Sequence, residues 1–408
     1  MDAKNATDFT DEYPWNPWLP FCRLERANMS TNNDSAICNA IELTLVPGIG
    51  TLTQSRIWKA LPDISDLFTM GDQSLLSIGV PAEACAPIRC RSYQAIASEI
   101  CDWGFREGCR FLIRGSPDYP MLLEEIYDPP LVLYARGQLK PLEHPCLAIV
   151  GTRRPTIYGL QMAQGIACDL GSRGISVVSG LARGVDAAAH RGCIDGNGTT
   201  IAVLGCGIDV VYPREHRILT QKILENGLLL SEFPPGTSPA PQNFPVRNRI
   251  ISGLALGTLI IEASEYSGSL ITARLAMEQN REIFALPGNL TTPQSFGPNF
   301  LIKQGAKLVQ SWRDVVEELP PDLRQEILIQ EDVKPLAKPE LEFLSDEENR
   351  ILGRLRMDEA IQFDKIFRGS GLDISRVSDL LLNLEMNGWI RQLPGNLYVR
   401  INNRRTES

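Results

Sequence analysis

The sequence predicts an α/β protein built on a doubly wound parallel sheet, with a small helical domain before the sheet and a winged helix after it. Three observations carry this. Between residues 147 and 310, short aliphatic and β-branched runs alternate with helical patterns of roughly 10 to 15 residues, the rhythm of βαβ units. The runs are continuously apolar rather than alternating, as strands covered on both faces are. A chain of 408 residues also exceeds one ordinary core, so further domains must flank the sheet.

In order, the middle reads "LAIV" (147–150), a helix through "LQMAQGIACDLGSRG", the strand "ISVVS", the helix "VDAAAHRGCIDG", the strand "TIAVLG" and the helix "REHRILTQKILENG". It continues with "LLLSEF", the helix "RNRIISGLALG", the strand "TLIIEA", the helix "SLITARLAMEQN", the strand "EIFALP", then "NFLIKQG" and "KLVQ". The expected boundaries are a mobile segment 1–37 with Trp15 and Trp18 as anchors, a helical domain 38–108, the sheet domain 109–319, a linker 320–342 and a winged helix 343–403. In the helical part, "LTLVPGIGTLTQSRIWKAL" (43–61) places a Pro-Gly-Ile-Gly turn between an apolar run and a helix. That turn reads either as a hairpin offering N–H groups to a phosphate or as a plain helix connection. The tail gives three helical patterns and a hairpin turning at "PGN". Its third helix, "ISRVSDLLLNLEMNG", holds one arginine against two acids, so a protein partner suits it as well as duplex DNA does.

Composition excludes several classes. The chain is 43% hydrophobic and 22% charged, and no run of about 18 apolar residues offers a membrane span. The N-terminus is acidic without an apolar h-region, so the expected compartment is the cytoplasm. Ten cysteines include no C-x-x-C pair and there are three histidines, so no metal set has the right spacing; the thiols read as reduced, buried side chains. The net charge of −9 is unevenly spread. Residues 140 to 316 carry 16 Lys and Arg against 13 Asp and Glu, a balance of +3, which leaves −12 for the flanks. An anionic ligand is therefore expected in the middle.

In a doubly wound sheet, ligands bind beyond the carboxyl ends of the strands. The first such loop is "GTRRPTIYG", where Gly151, Thr152, Arg153 and Arg154 could hold a phosphate at a helix start. It is not G-x-G-x-x-G, and the chain holds no G-x-x-x-x-G-K-[ST], so neither a dinucleotide nor a triphosphate site is signalled and no cofactor is expected. The second loop, "SGLARGVDAAAH", presents Ser179 and Gly180. Asp186 and His190 lie four apart on its helix. With no nucleophile tied to them, they read as a cap and a half-buried, satisfied histidine rather than an acid–base pair. A third loop, "EASEYSGSLITARLA", offers Ser267, Gly268, Ser269 and Thr272 as either an anion cradle or an N-cap. The fourth stretch, "FPVRNRIISG" (244–253), sets Phe244, Arg247, Asn248 and Arg249 together. An aromatic face with arginines suits an unstacked base and its backbone.

Arranged in this order, "VGTRRPTIYG", "VVSGLARGVDAAAH", "TIAVLGCGIDVVYP", "LLSEFPPG", "NFPVRNRIISGL", "EASEYSGSLITARLA", "REIFALPG" and "GPNFLIKQGA" resemble the DNA-processing protein A family, DprA, also called Smf, over roughly residues 110 to 316. The resemblance implies an extended Rossmann-like domain, a small SAM or helix-hairpin-helix-like domain before it and a winged helix after it. It also implies single-stranded DNA binding, protection of incoming strands in natural transformation, and loading of RecA onto DNA coated by single-strand-binding protein. A homodimer through the Rossmann-like domain and no enzymatic activity are implied as well. The family's G-[ST]-R loop falls on Gly151, Thr152 and Arg153, its S-G turn on Ser179 and Gly180, and its F-P-x-R-N-R element on Phe244, Arg247, Asn248 and Arg249. Some members carry a lysine where this chain has Pro241, so that phosphate contact would pass to Arg154 or Arg183. Two other functions fit parts of the pattern: a phosphoribohydrolase-like enzyme using Glu262, or a recombination scaffold with incidental DNA contacts.

Overall fold

The computed structural model describes residues 31–333 and 344–401, apart from residue 358. Among the described residues, five α-helices come first: α1 (Thr31–Leu45), α2 (Thr51–Ala60), α3 (Asp72–Ser77), α4 (Ala82–Arg89) and α5 (Gln94–Arg106). The expected boundary at 37/38 falls inside α1. The Pro-Gly-Ile-Gly turn joins α1 to α2, with Gly48 at φ +83°, where an L side chain would be strained. Trp15 and Trp18 lie outside the described residues.

The sheet domain runs β1 (Arg110–Ile113), α6 (Met121–Glu124), β2 (Val132–Gly137), β3 (Cys146–Val150), α7 (Ile157–Gly171), β4 (Ser176–Ser179), α8 (Val185–Asp195), β5 (Thr200–Leu204) and α9 (Arg217–Asn226). It continues through β6 (Leu228–Ser231), α10 (Asn243–Gly253), β7 (Gly257–Ile260), α11 (Gly268–Glu278), β8 (Glu282–Ala285), α12 (Phe296–Lys303), β9 (Lys307–Leu308) and α13 (Trp312–Val316). Nine strands form one sheet in the order β1-β2-β6-β5-β4-β3-β7-β8-β9. From β6 to β9 the pairing is parallel, and β1 and β2 extend the sheet antiparallel from β6. The chain steps outward from β3 to β6, then returns along α10 to β7 on the other side of β3. The order therefore reverses between β3 and β7.

The strands are buried on both faces, as their unbroken apolar runs required. One core holds Ile149, Val177, Leu259 and Phe284 against α7 and α8, and another holds Val150, Val178, Ile201 and Val203 against α10 and α11. The helical domain is not a detached accessory. Ile41, Ile57, Leu67 and Ile88 share a continuous core with Val132, Tyr134, Ala202 and Leu204 of the sheet. Of the nine described cysteines, Cys90 alone is exposed, and the Sγ atoms of Cys38 and Cys101 face each other across α1 and α5 at 2.6 Å.

A helix, α14 (Pro321–Val333), occupies most of the stretch expected as a linker. Beyond it α15 (Asp346–Leu352), β10 (Ile361–Gln362), α16 (Phe363–Ser370), α17 (Ile374–Met386), β11 (Ile390–Leu393) and β12 (Leu397–Arg400) make the winged helix around Leu352, Ile366, Val377, Leu381 and Tyr398. A reciprocal Ser345–Glu348 capping box starts α15 and Asp373 caps α17. Its hairpin turns at residues 394 to 396, where Gly395 and Asn396 both take positive φ.

Candidate nucleic-acid interface

α10 crosses from β6 back to β7, and its first turn lays Phe244 over the loop that follows β5. The seat for the ring is Gly205: a Cβ there would stand 2.8 Å from the ring edge. Tyr212 flanks Phe244 at 5.7 Å between ring centroids, tilted by 31°. The guanidinium of Arg153, from the loop after β3, reaches 5.3 Å from the Phe244 centroid. With Gly180, Ala182 and Arg183 from the loop after β4, these residues line one open depression at the carboxyl ends of β3, β4 and β5. Sequence reasoning passed over Gly205 and Tyr212. The signals were a glycine after a strand and an aromatic before a proline, and neither announces a ring platform without the fold.

Arg247 lies beneath this platform rather than on it. It is 4% exposed, its Nη1 donates to the carbonyls of Gly180, at 2.7 Å, and Val203, and its Nε donates to Asn248 Oδ1 at 3.2 Å. Burial pulls its pKa down to about 10, which still leaves it charged at neutral pH, and Asp186 acts in the opposite direction. Burial likewise raises Asp186, offset by Arg247 and by N–H groups of the same loop. Gly180 has no side chain because a Cβ would meet that guanidinium at 2.6 Å. Arg247 therefore ties the floor of the depression to β5 and stands 5.9 Å from the Phe244 ring.

The backbone cradles expected for phosphate are closed by the protein's own carboxylates. Ser179 is fully buried and donates its hydroxyl to Ile149 O at 2.6 Å. The N–H groups of Gly180 and Ala182 donate to Asp186 Oδ2 at 3.2 and 3.4 Å, so Asp186 fills the turn of its own loop. Between them Leu181 sits at φ +55°, an unusual conformation for a bulky residue. It is held by burial of its side chain and by a 2.9 Å bond from His216 Nδ1 to its carbonyl. At the β3–β7 reversal, Glu262 accepts from the N–H and hydroxyl of Thr156 at 2.8 and 2.5 Å, and its carbonyl accepts from Thr152 N–H at 2.7 Å. The start of α7 thus already has its anion. Thr152 Oγ1 accepts from Arg154 N–H at 3.2 Å, and Gly151 is required because a Cβ would meet Val185 at 2.6 Å. What remains for an outside phosphate is side-chain charge. Arg153, Arg154 and Arg183 are exposed, and Arg183 is paired with Glu215.

Other expected residues lie elsewhere. Arg249 faces away from the depression, donating to Asp128 at 3.0 Å and to both oxygens of Glu232 at 2.6 and 2.8 Å, with 5% of its side chain exposed. Burial opposes its charge, but Glu232 and Asp128 outweigh it and raise its pKa. It is a structural ion pair, not a phosphate contact. Ser267, Gly268 and Ser269 start α11 after β7, on the far side of β3. Ser267 caps that helix by accepting from Ser269 N–H, and none of the three lines the depression. His190 is fully buried rather than half-buried. Its Nδ1 meets Thr200 Oγ1 at 2.7 Å, its Nε2 has no partner, and no hydrogen bond joins it to Asp186 among the described residues. Pro241 lies exposed in the turn before α10.

A large, mostly parallel sheet with an arginine–aromatic depression at its strand ends, followed by a winged helix, places the chain among Rossmann-like DNA-processing proteins. A family model described as DNA recombination-mediator protein A matches residues 110–320, and another described as the DprA winged helix domain matches residues 334–396. Protein Smf of Escherichia coli is 40% identical over 315 residues, 76% of this chain and 81% of its own length. DNA processing protein DprA of Bacillus subtilis is 45% identical over 215 residues, 52% of this chain and 72% of its own. The X-ray structure of DNA processing protein A from Streptococcus pneumoniae superposes with a TM-score of 0.61 at 34% identity, covering 69% of this chain and 98% of that one. The chain belongs to the DprA/Smf family. No described helix is long and apolar enough to cross a membrane.

Proposed function

We propose that this protein binds single-stranded DNA in the Phe244 depression, protects incoming strands during natural transformation, and helps place RecA on strands coated by single-strand-binding protein. In this reading it works in the cytoplasm as a homodimer through the Rossmann-like domain. The observation that carries the reading is the Arg153–Phe244–Tyr212 arrangement beside Arg183. Two adjoining aromatic rings, with one cation over Phe244 and another lining the same depression, match a chain of unstacked bases joined by phosphates. A duplex hides its base faces and is read through a groove by a helix or ribbon, which a depression cannot enter. The names of the relatives, DNA processing proteins, support a nucleic-acid ligand. A nucleotide-cleaving reading needs a free Glu262, whereas both of its carboxylate oxygens accept from Thr156.

The test is anisotropy of labelled oligo-dT against duplex of equal length. Tighter binding of the single strand is expected, and equal affinity for the two would overturn the reading. A protein that accelerates RecA assembly without binding either DNA would instead be a scaffold.

A further inference from the structure

The helical domain carries a second group of cations beside an aromatic. Along α2, Leu52, Ser55, Arg56 and Lys59 share one helical face, and with Tyr127 they line a shallow surface depression that contains no acid. Tyr127 is 81% exposed. Arg56 and Lys59 are exposed, and neither pairs with an acid among the described residues. The edge of the depression is fixed from below, because Ser55 accepts from Arg114 Nη1 at 3.1 Å and the charge of Arg114 is met by Glu124 at 2.7 Å. Two cations with no acid partner among the described residues, set around an open ring, are unusual on a flank that is acidic overall.

One chain of contacts joins this depression to the first. Thr51, at the start of α2, donates to Asp128 Oδ2 at 3.3 Å, and Asp128 directly follows Tyr127. The same Oδ2 accepts from Arg249 Nε at 3.0 Å. Arg249 lies five residues beyond Phe244 on α10, about 7.5 Å along a helix axis at 1.5 Å per residue. One continuous chain of contacts therefore links the two depressions.

We propose that α2 and Tyr127 form a second contact for the same single strand, with Tyr127 stacking a base and Arg56 and Lys59 meeting phosphates. This rests on the reading of the Phe244 depression given above. An acidic peptide would use the two cations but leave the ring without a flat partner, whereas a nucleotide uses both.

The test compares oligo-dT of about 4 and about 16 nucleotides, the range of site sizes of single-strand modules, on the full chain, wild type against Tyr127→Ala and Arg56→Gln/Lys59→Gln. All three positions are exposed, so these variants keep the fold. The expected result is a loss of about tenfold for the long oligonucleotide, the equivalent of one base stack, and none for the short one. The salt dependence should fall for Arg56→Gln/Lys59→Gln and stay constant for Tyr127→Ala. Equal long-strand affinity for variants and wild type, or a loss shared by both lengths, overturns the proposal. So does competition by poly-glutamate that is lost in Arg56→Gln/Lys59→Gln while long-strand binding is kept, since that assigns the cations to an acidic peptide. Arg153→Ala separates the two readings. If it binds the short strand like wild type, the Phe244 depression is not the site, whatever α2 does.

Discussion

The guanidinium of Arg153 stands 5.3 Å from the centre of the Phe244 ring, although one comes from the loop after β3 and the other from the first turn of α10. The pairing holds the ring in place before any ligand arrives and puts a charge over the ring. Phe244→Ala is expected to weaken oligo-dT binding by about 1–3 kcal/mol, the value of one base stack, with the slope of log affinity against log salt unchanged. Phe244→Trp should keep most of the affinity. Arg153→Ala should instead reduce that slope by about 0.7, the contribution of one phosphate on a single strand. A Phe244→Ala variant with wild-type affinity would remove the ring from the interface.

Arg249 should behave in the opposite way. Its guanidinium is buried between Asp128 and Glu232, so Arg249→Met leaves two acids without their partner. Breaking a buried pair from one side costs about 3–5 kcal/mol, which should appear as a lower midpoint of urea unfolding. Arg153→Ala, at an exposed position, should leave the midpoint where it was. If Arg249→Met unfolded like wild type but lost DNA, the residue would belong to the interface after all.

Gly205 predicts a binding defect from a single methyl group. An added Cβ would lie 2.8 Å from the Phe244 ring, closer than real contacts allow, so the ring must shift. Gly205→Ala is expected to weaken oligo-dT binding about as much as Phe244→Ala does, on the order of 1–3 kcal/mol. The Phe244→Ala/Gly205→Ala double variant should be no worse than either alone, because both act on one ring. Additive losses would show that Gly205 contributes separately.

The sheet was legible because parallel strands covered on both faces need unbroken apolar runs, and runs such as Leu147–Val150 and Thr258–Ile261 stand out from the helices between them. The candidate site was legible only where a residue acts through its own side chain, as Phe244 and Arg153 do. Arg247 and Arg249 look alike in "FPVRNR". Yet at 100° per residue the first returns toward Phe244's side of α10, while the second points about 140° away. There Asp128 and Glu232, from other parts of the chain, claim it. The hydroxyl and glycine loops misled for a related reason. Nothing local in "GTRRPT" says that Glu262 will take the N–H groups of Thr152 and Thr156, whereas in "SGLARGVD" the acid that closes the turn, Asp186, belongs to the same loop. A long-range partner decides the first of these positions, and a single sequence does not display it.

His190 is wholly buried in α8 against β5, and Thr200 Oγ1, which already donates to Val177 O at 2.7 Å, must accept from His190 Nδ1–H. This fixes the neutral tautomer and leaves Nε2 bare inside the core. Burial, with smaller repulsion from His216, Arg247 and Arg191, lowers its pKa from 6.5 to about 3. The folded state therefore binds fewer protons than the unfolded state between these two values, so stability rises with pH across that window. The stabilisation is complete above the unfolded value of 6.5 and is lost progressively as pH falls toward 3. His190→Asn, which keeps an N–H for Thr200 but cannot titrate, should unfold more easily at pH 7 and lose less between pH 7 and pH 4 than wild type. Urea unfolding at both pH values measures the two differences. Equal acid sensitivity in the two proteins would assign the low-pH loss to other groups.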